Sequence, residues 1–99
     1  MKTVNLKLLT VVCEPVLTQK LTDLIRTIGA TGFTITEVRG EGSSHRHSGE
    51  VPDLKVKIEV LATIELAKNL MDEIAAQYFE DYSLIIYSTD AQVIRAEKF

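Results

Sequence analysis

Residues 54–60 constrain the fold more than any other part of the chain, because apolar and charged side chains alternate there without interruption. The segment reads LKVKIEV, with an apolar residue at every second position and a charged residue between. Successive side chains of a strand point to opposite faces, so the pattern predicts a strand with one buried face. Its other face is predicted to meet solvent or a second subunit.

The segments before this strand predict a strand, a helix and another strand. Residues 5–12 are rich in Leu and Val and predict a mostly buried strand. A helix is predicted to begin at Pro15, because proline is tolerated in a first helical turn. It is predicted to stop at Gly29, since a left-handed glycine ends many helices. Residues 33–38 are largely β-branched and predict the second strand.

The segments after the alternating strand repeat the same order of elements. Thr63 is predicted to cap a second helix, whose buried face comprises Leu66, Ala67, Leu70, Met71, Ile74 and Ala75. Residues 84–87 predict a short fourth strand. The tail, residues 91–99, is predicted to add a short fifth strand around Val93 and Ile94.

These elements together predict an α+β fold, a ferredoxin-like βαββαβ sandwich with both helices on one face of a four-stranded sheet. The chain has 99 residues, the size of one domain, so residues 1–99 are predicted to form a single unit. A domain of this size buries its apolar surface incompletely, and the uncovered sheet face is therefore expected to take part in oligomerisation.

A long loop, residues 40–53, joins the second and third strands and is called the central loop below. Its sequence, GEGSSHRHSGEVPD, has no apolar periodicity, and structureless loops of this length are usually functional or disordered. Turns rich in glycine can cradle an anion with their N–H groups, and Arg39 and Arg46 are suited to binding phosphate. A plain solvated connection would explain the same composition.

Two other features of the chain carry reactive side chains. His45 and His47, with acidic neighbours, form an alternative transition-metal site, although two surface histidines are the simpler interpretation. Cys13 is the only cysteine of the chain. Since no base is placed beside it, a buried structural role is predicted rather than a catalytic one.

Composition disfavours several classes of function. The formal net charge of −3 argues against non-specific binding of nucleic acid. No segment approaches the ~20 apolar residues that span a bilayer, and the N-terminus does not resemble a signal peptide, so a cytoplasmic location is expected. Glu80, Asp81 and Asp90 lack a spacing that would bring two carboxylates together, and the chain is predicted not to be an enzyme.

Two segments resemble a known family. GATGFTITEVRGEGSS (residues 29–44) resembles the second strand and loop base of PII-like signalling proteins. YFEDYSLIIYSTDAQVIRAEKF (residues 78–99) resembles the C-terminal half of the same proteins. The resemblance covers essentially the whole chain and points to the SbtB-type and carboxysome-associated PII branch.

This resemblance implies a homotrimer that binds an adenine nucleotide (AMP, ADP, ATP or cyclic AMP) in clefts between subunits and carries no cofactor. Carried over by position, the ligand-binding residues are Gly32, Phe33, Thr34, Gly42, Ser43, Arg46, Leu84, Ile85 and Tyr87. The central loop corresponds to the mobile T-loop of the family. Through it, the trimer would regulate a bicarbonate transporter or a carboxysome-associated protein, and bicarbonate is a further expected ligand.

The central loop also departs from the family pattern. It is shorter than in transporter-regulating relatives, and Ser44 stands where some relatives carry an arginine. The resemblance therefore leaves the preferred nucleotide open. A slow nucleotide hydrolase using the same cleft is a further alternative.

Overall fold

The computed structural model describes residues 3–41 and 53–94. Along the chain these form β1 (Val4–Cys13), a 3₁₀ turn (Pro15–Leu17), α1 (Thr18–Ile28), β2 (Thr34–Gly40), β3 (Asp53–Ala62), α2 (Ile64–Tyr78) and β4 (Ile85–Val93). The strands form one sheet in the order β2-β3-β1-β4, and every neighbouring pair is antiparallel. This is the predicted α+β, ferredoxin-like arrangement, in which β3 lies between the two strands that α1 connects.

The core lies between the helices and one face of the sheet. At its centre β1 and β3 pair so that Leu9 is opposite Val60 and Val11 is opposite Ile58, and all four side chains are fully buried. Both helices cover this face with apolar side chains spaced one turn apart; the buried ones are Leu21, Ile25, Ala67, Leu70 and Ile74. The face turned away from the helices is called the open face below.

The predicted alternation of β3 is confirmed, with one exception at its end. Val56, Ile58 and Val60 are buried as expected. Leu54 lies on the same face but is 41% exposed. It pairs with Arg39 near the end of the β2–β3 ladder, next to the central loop. Because Leu54 lies near a strand end, the core covers less of its side chain than the alternating pattern predicts.

The first helix begins later than the sequence predicts and ends where expected. Pro15 starts a 3₁₀ turn, and the α-helix begins only at Thr18. At the other end Gly29 adopts φ 118°, a left-handed conformation that favours glycine. The N–H of Gly29 donates to the Arg26 carbonyl at 3.1 Å, and that of Ala30 donates to the Ile25 carbonyl at 3.2 Å. The chain is thereby turned back toward β2.

The last strand differs most from the prediction. β4 runs continuously from Ile85 to Val93, pairing with β1 from Val12 down to Val4. The predicted fifth strand is therefore wrong within the described residues: Val93 ends β4 and Ile94 follows it in a bend. Sequence periodicity missed this continuity because residues 88–92, in an edge strand, are mostly polar and small.

The ends of β2 and β3 match the predicted boundaries of the central loop. β2 ends at Gly40 and β3 begins at Asp53, so the loop leaves and re-enters the sheet at one end. Residues 42–52, most of the central loop, lie outside the described residues. The open face at that end of the sheet carries Lys55 and Lys57, which alternate with the core residues of β3.

Thr63 caps α2 as predicted: its Oγ1 accepts a hydrogen bond from the N–H of Leu66 at 3.2 Å. Thr63→Ala is therefore expected to lower the free energy of unfolding by about 1 kcal/mol, because that N–H loses its partner at the helix start. Urea denaturation at one fixed protein concentration measures it. Thr63→Ser keeps the hydroxyl and is the control; an equal loss in both variants would rule out the cap.

Candidate functional site

A pocket of about 310 Å³ opens on the open face of the sheet, where the α1–β2 connection meets β1 and β3. Its walls are formed by Leu8, Thr31, Gly32, Phe33, Thr34, Glu59 and Leu61. Three of these residues, Gly32, Phe33 and Thr34, are ones that the sequence predicts to bind ligand. The structure therefore brings this predicted group together at one concave site.

Strand register positions the polar and apolar walls of the pocket. Leu8 is opposite Leu61, and Thr34 is opposite Glu59. All four alternate with core residues, so they point to the open face. The reversal at Gly29 then places Thr31 and Gly32 at the rim. The same pairing that buries the core thus presents two leucines beside one carboxylate.

This combination suits a ligand with a flat apolar part and hydrogen-bonding groups. Leu8 and Leu61 offer apolar contact, while the half-buried Glu59 carboxylate accepts hydrogen bonds. Gly32 carries no side chain, and its Cβ position has no atom within 4 Å, so its backbone is open to close approach. Lys57 lies two residues before Glu59 on the same face, opposite Thr36, and supplies a cation on the side toward the central loop.

The remaining described residues of the predicted site lie at the other edge of the sheet. Tyr87 occupies the same cross-strand row as Thr34, because Tyr87 pairs with Thr10, Thr10 with Glu59 and Glu59 with Thr34. Three strand spacings separate the two ends of that row, about 14 Å. Ile85 lies two residues before Tyr87, on the same face of β4, and is 58% exposed. Within one chain, neither of these β4 residues lines the pocket.

Leu84 differs from Ile85 and Tyr87 because its side chain packs against the core and is half-buried. It precedes β4, and the described contact of its side chain is with the helix-covered side of the molecule. Gly42, Ser43 and Arg46 lie outside the described residues.

Four residues of the pocket were not identified from the sequence: Leu8, Thr31, Glu59 and Leu61. Alternation assigns Glu59 to the face opposite the core, which was the available signal. It does not tell which polar residue of that face lies next to the α1–β2 turn. That information depends on pairing between distant segments of the chain.

A larger cavity, about 450 Å³, lies at the far end of the sheet and is lined by Asn5, Leu6, Ile64, Asp90, Ala91 and Gln92. None of the predicted residues contributes to it. Its acid is already paired: Lys7 Nζ donates to Asp90 Oδ1 at 2.6 Å, and this hydrogen bond and the lysine charge hold the pKa of Asp90 below its usual value. We therefore place the candidate site at the smaller pocket.

The metal-site hypothesis gains no support from residues 3–41 and 53–94. No three His, Cys, Asp or Glu side chains cluster there in a way that would hold an ion. His45 and His47 lie outside the described residues. Among the helices of the described segments, none has the length and apolar character needed to cross a membrane.

Cys13 lies at the end of β1 and is buried, as the sequence predicts. Burial raises the pKa of its thiol to about 11, with a further contribution from the negative charge of Glu14. A thiol in that environment is a poor nucleophile at neutral pH. The finding supports the structural role.

The sequence and fold of this small α+β sandwich match one known family of proteins. The family model for nitrogen regulatory protein P-II matches residues 6–98 of the chain. The chain belongs to this family and is a PII-like signalling protein.

Solved structures support the same assignment. A PII-like signalling protein from Thermus thermophilus is 34% identical, with a TM-score of 0.85 and coverage of 100% of this chain and 99% of that chain. CPII from Thiomonas intermedia, bound to ADP and bicarbonate, is 30% identical, with a TM-score of 0.86 and coverage of 99% and 97%. The same protein bound to ADP, AMP and acetate is 29% identical, with a TM-score of 0.85 and coverage of 100% and 98%.

The environment of Cys13 predicts slow alkylation of the folded protein. At pH 9 about half of a thiol with the ordinary pKa of 9.0 is ionised, against roughly 1% of one with a pKa of about 11. Iodoacetamide at pH 9 should therefore modify the urea-unfolded chain far faster than the native one, as followed by mass spectrometry. Equal rates would show that the thiol is accessible and unperturbed.

Proposed function

We propose that this PII-like protein binds an adenine nucleotide at the pocket beside Gly32, Phe33 and Thr34 and acts as a regulator. The observation that carries the proposal is the location of three predicted residues. The resemblance selects Gly32, Phe33 and Thr34 as ligand-binding residues, and those residues line a pocket with an apolar wall and a hydrogen-bond acceptor. CPII, with the same fold, is bound to ADP in the two structures compared above.

Each part of a nucleotide finds a suitable group in or next to the pocket. The base is assigned to the apolar wall of Leu8 and Leu61, and a ribose hydroxyl or base amine to the Glu59 carboxylate. The phosphates then extend toward Lys57 and the central loop. Gly42, Ser43 and Arg46 of that loop are proposed to complete the phosphate site.

The second half of the site is proposed to come from a neighbouring subunit of a homotrimer. Ile85 and Tyr87 are 58% and 44% exposed, and Tyr87 lies three strand spacings from Thr34, at the opposite end of the same cross-strand row. In a cyclic ring, different surfaces of adjacent copies meet. The β4 residues of one copy are then free to border the pocket of the next, and the open sheet faces cover one another.

The proposed regulatory mechanism is an exchange between two states of the central loop. A nucleotide that contacts the loop in only one arrangement shifts its population by the difference in affinity. The loop is then presented to, or withheld from, a target in the cytoplasm. We assign the pathway to inorganic-carbon uptake or carboxysome function, with a bicarbonate transporter or carboxysome-associated protein as the target. CPII bound to ADP and bicarbonate supports that choice, and bicarbonate is proposed as a second ligand. Catalysis is not part of the proposal.

Isothermal titration calorimetry tests the ligand. ADP and AMP are expected to bind the wild-type protein, and ATP and cyclic AMP are titrated beside them to rank the nucleotides. Glu59→Ala should weaken ADP binding by about tenfold, since a hydrogen bond to a charged acceptor is lost. Glu65→Ala, on the first turn of α2, is the charge-matched control and should bind as the wild type does.

Two results would contradict this assignment. Failure of all four nucleotides to bind at millimolar concentration would rule out a nucleotide sensor. Equal ADP affinity in Glu59→Ala and Glu65→Ala would remove Glu59 from the site while leaving nucleotide binding intact.

The trimer is tested by sedimentation equilibrium. The 11.0 kDa chain should sediment at three times its monomer mass. Ile85→Asp should dissociate the trimer, because it places a charge in the proposed interface. Ile64→Asp is a matched control, since Ile64 is 60% exposed and begins α2 on another surface. A monomeric wild type, or a trimeric Ile85→Asp variant, would contradict the proposed interface.

A further inference from the structure

The side chain of Arg26 lies over the ring of Phe33. Its guanidinium carbon is 5.0 Å from the ring centroid, within the range of a cation–π contact. Arg26 is in the last turn of α1, and Phe33 follows the reversal at Gly29. The contact therefore joins the two ends of the connection that forms the pocket rim.

The guanidinium is held from a second direction as well. Arg26 Nη1 donates to Asp23 Oδ1 at 3.3 Å, and the same oxygen accepts from Gln19 Nε2 at 3.0 Å. Both pairs use the spacing of one helical turn, so they form without bending α1. The carboxylate of Asp23 and the ring of Phe33 together define where the arginine head lies.

The side chains of Phe33 and Thr34 lie on opposite faces of the sheet. The Phe33 side chain packs against the core cluster, on the helix side of the sheet. Thr34, the next residue, pairs with Glu59 and points to the open face beside the pocket. Movement of the Phe33 ring would therefore move the backbone that lines the pocket, together with Gly32 and Thr34.

From this geometry we infer that Arg26 is a positioning residue for nucleotide binding, acting through Phe33. The inference rests on the proposed function, because it concerns the same pocket. The contact keeps residues 31–34 in the arrangement that a ligand requires. Without it a smaller fraction of molecules has a competent pocket, and the apparent dissociation constant rises by the inverse of that fraction.

Calorimetry with ADP on three variants tests the inference. Arg26→Met keeps much of the apolar stem but loses the cation, and its dissociation constant should rise by up to about fivefold, the full value of an exposed cation–π contact. Arg26→Lys retains a cation without the planar head, so it should restore part of the affinity. Lys20→Met removes the same charge from an exposed position of α1 and should bind ADP as the wild type does.

A spectroscopic signal separates positioning from general stability. The chain has no tryptophan, so Phe33→Trp introduces a single reporter at the contact. Adding Arg26→Met to that background should shift the emission of the ligand-free protein to longer wavelength, and saturating ADP should reverse the shift. Adding Lys20→Met should leave the spectrum unchanged.

The outcomes distinguish this inference from the proposed function. If the wild-type protein does not bind ADP, the proposed function fails. If the wild type binds ADP and Arg26→Met binds it with the same affinity, the positioning role of Arg26 is overturned while the proposed function stands. An emission maximum unaffected by Arg26→Met would also overturn the role.

Discussion

The pairing of β1 with β3 is the interaction on which both the core and the candidate site depend. It places Leu9 against Val60 and Val11 against Ile58 in the core, with the helices packed on top. The residues that alternate with these core residues point the other way, and they include Leu8, Glu59 and Leu61 of the pocket. A register shift of one residue would expose the apolar set and bury Glu59, so the core energetically protects the geometry of the site.

The two outer strands, β2 and β4, flank this central pair and differ in the side chains that they add. β2 adds Thr34 next to Glu59 and leads into the central loop, whereas β4 adds a more apolar edge with Ile85 and Tyr87 exposed. On the proposed function these are the two halves of one cleft. In the proposed trimer, edges of different copies would meet, and the trimer would then contribute to ligand binding as well as to stability.

Sequence patterns predicted the elements whose stabilising contacts are local. The alternation of β3, the Thr63 cap and the Gly29 stop need only a few neighbouring residues, and all three are confirmed. The patterns were wrong for β4, because its polar half is extended through pairing with a distant strand rather than through its own periodicity. The same limit explains Glu59: alternation assigns its face, while the register with Thr34, 25 positions earlier in the chain, makes it part of a pocket.

The charges of Glu59 and Lys57 on β3 favour one orientation of a nucleotide in the proposed pocket. Glu59 and Lys57 lie on one face, about 7 Å apart along the strand. A ligand charge is attracted by one of these side chains and repelled by the other, and the nearer one dominates because Coulomb energy falls with distance. A nucleotide bound with its phosphates at Glu59 would meet repulsion there and forgo attraction at Lys57. The opposite orientation satisfies both charges and directs the phosphates toward the central loop. Nucleotides that differ only in phosphate number would then present different charge to that loop from the same base position, which is what a sensor of nucleotide state requires.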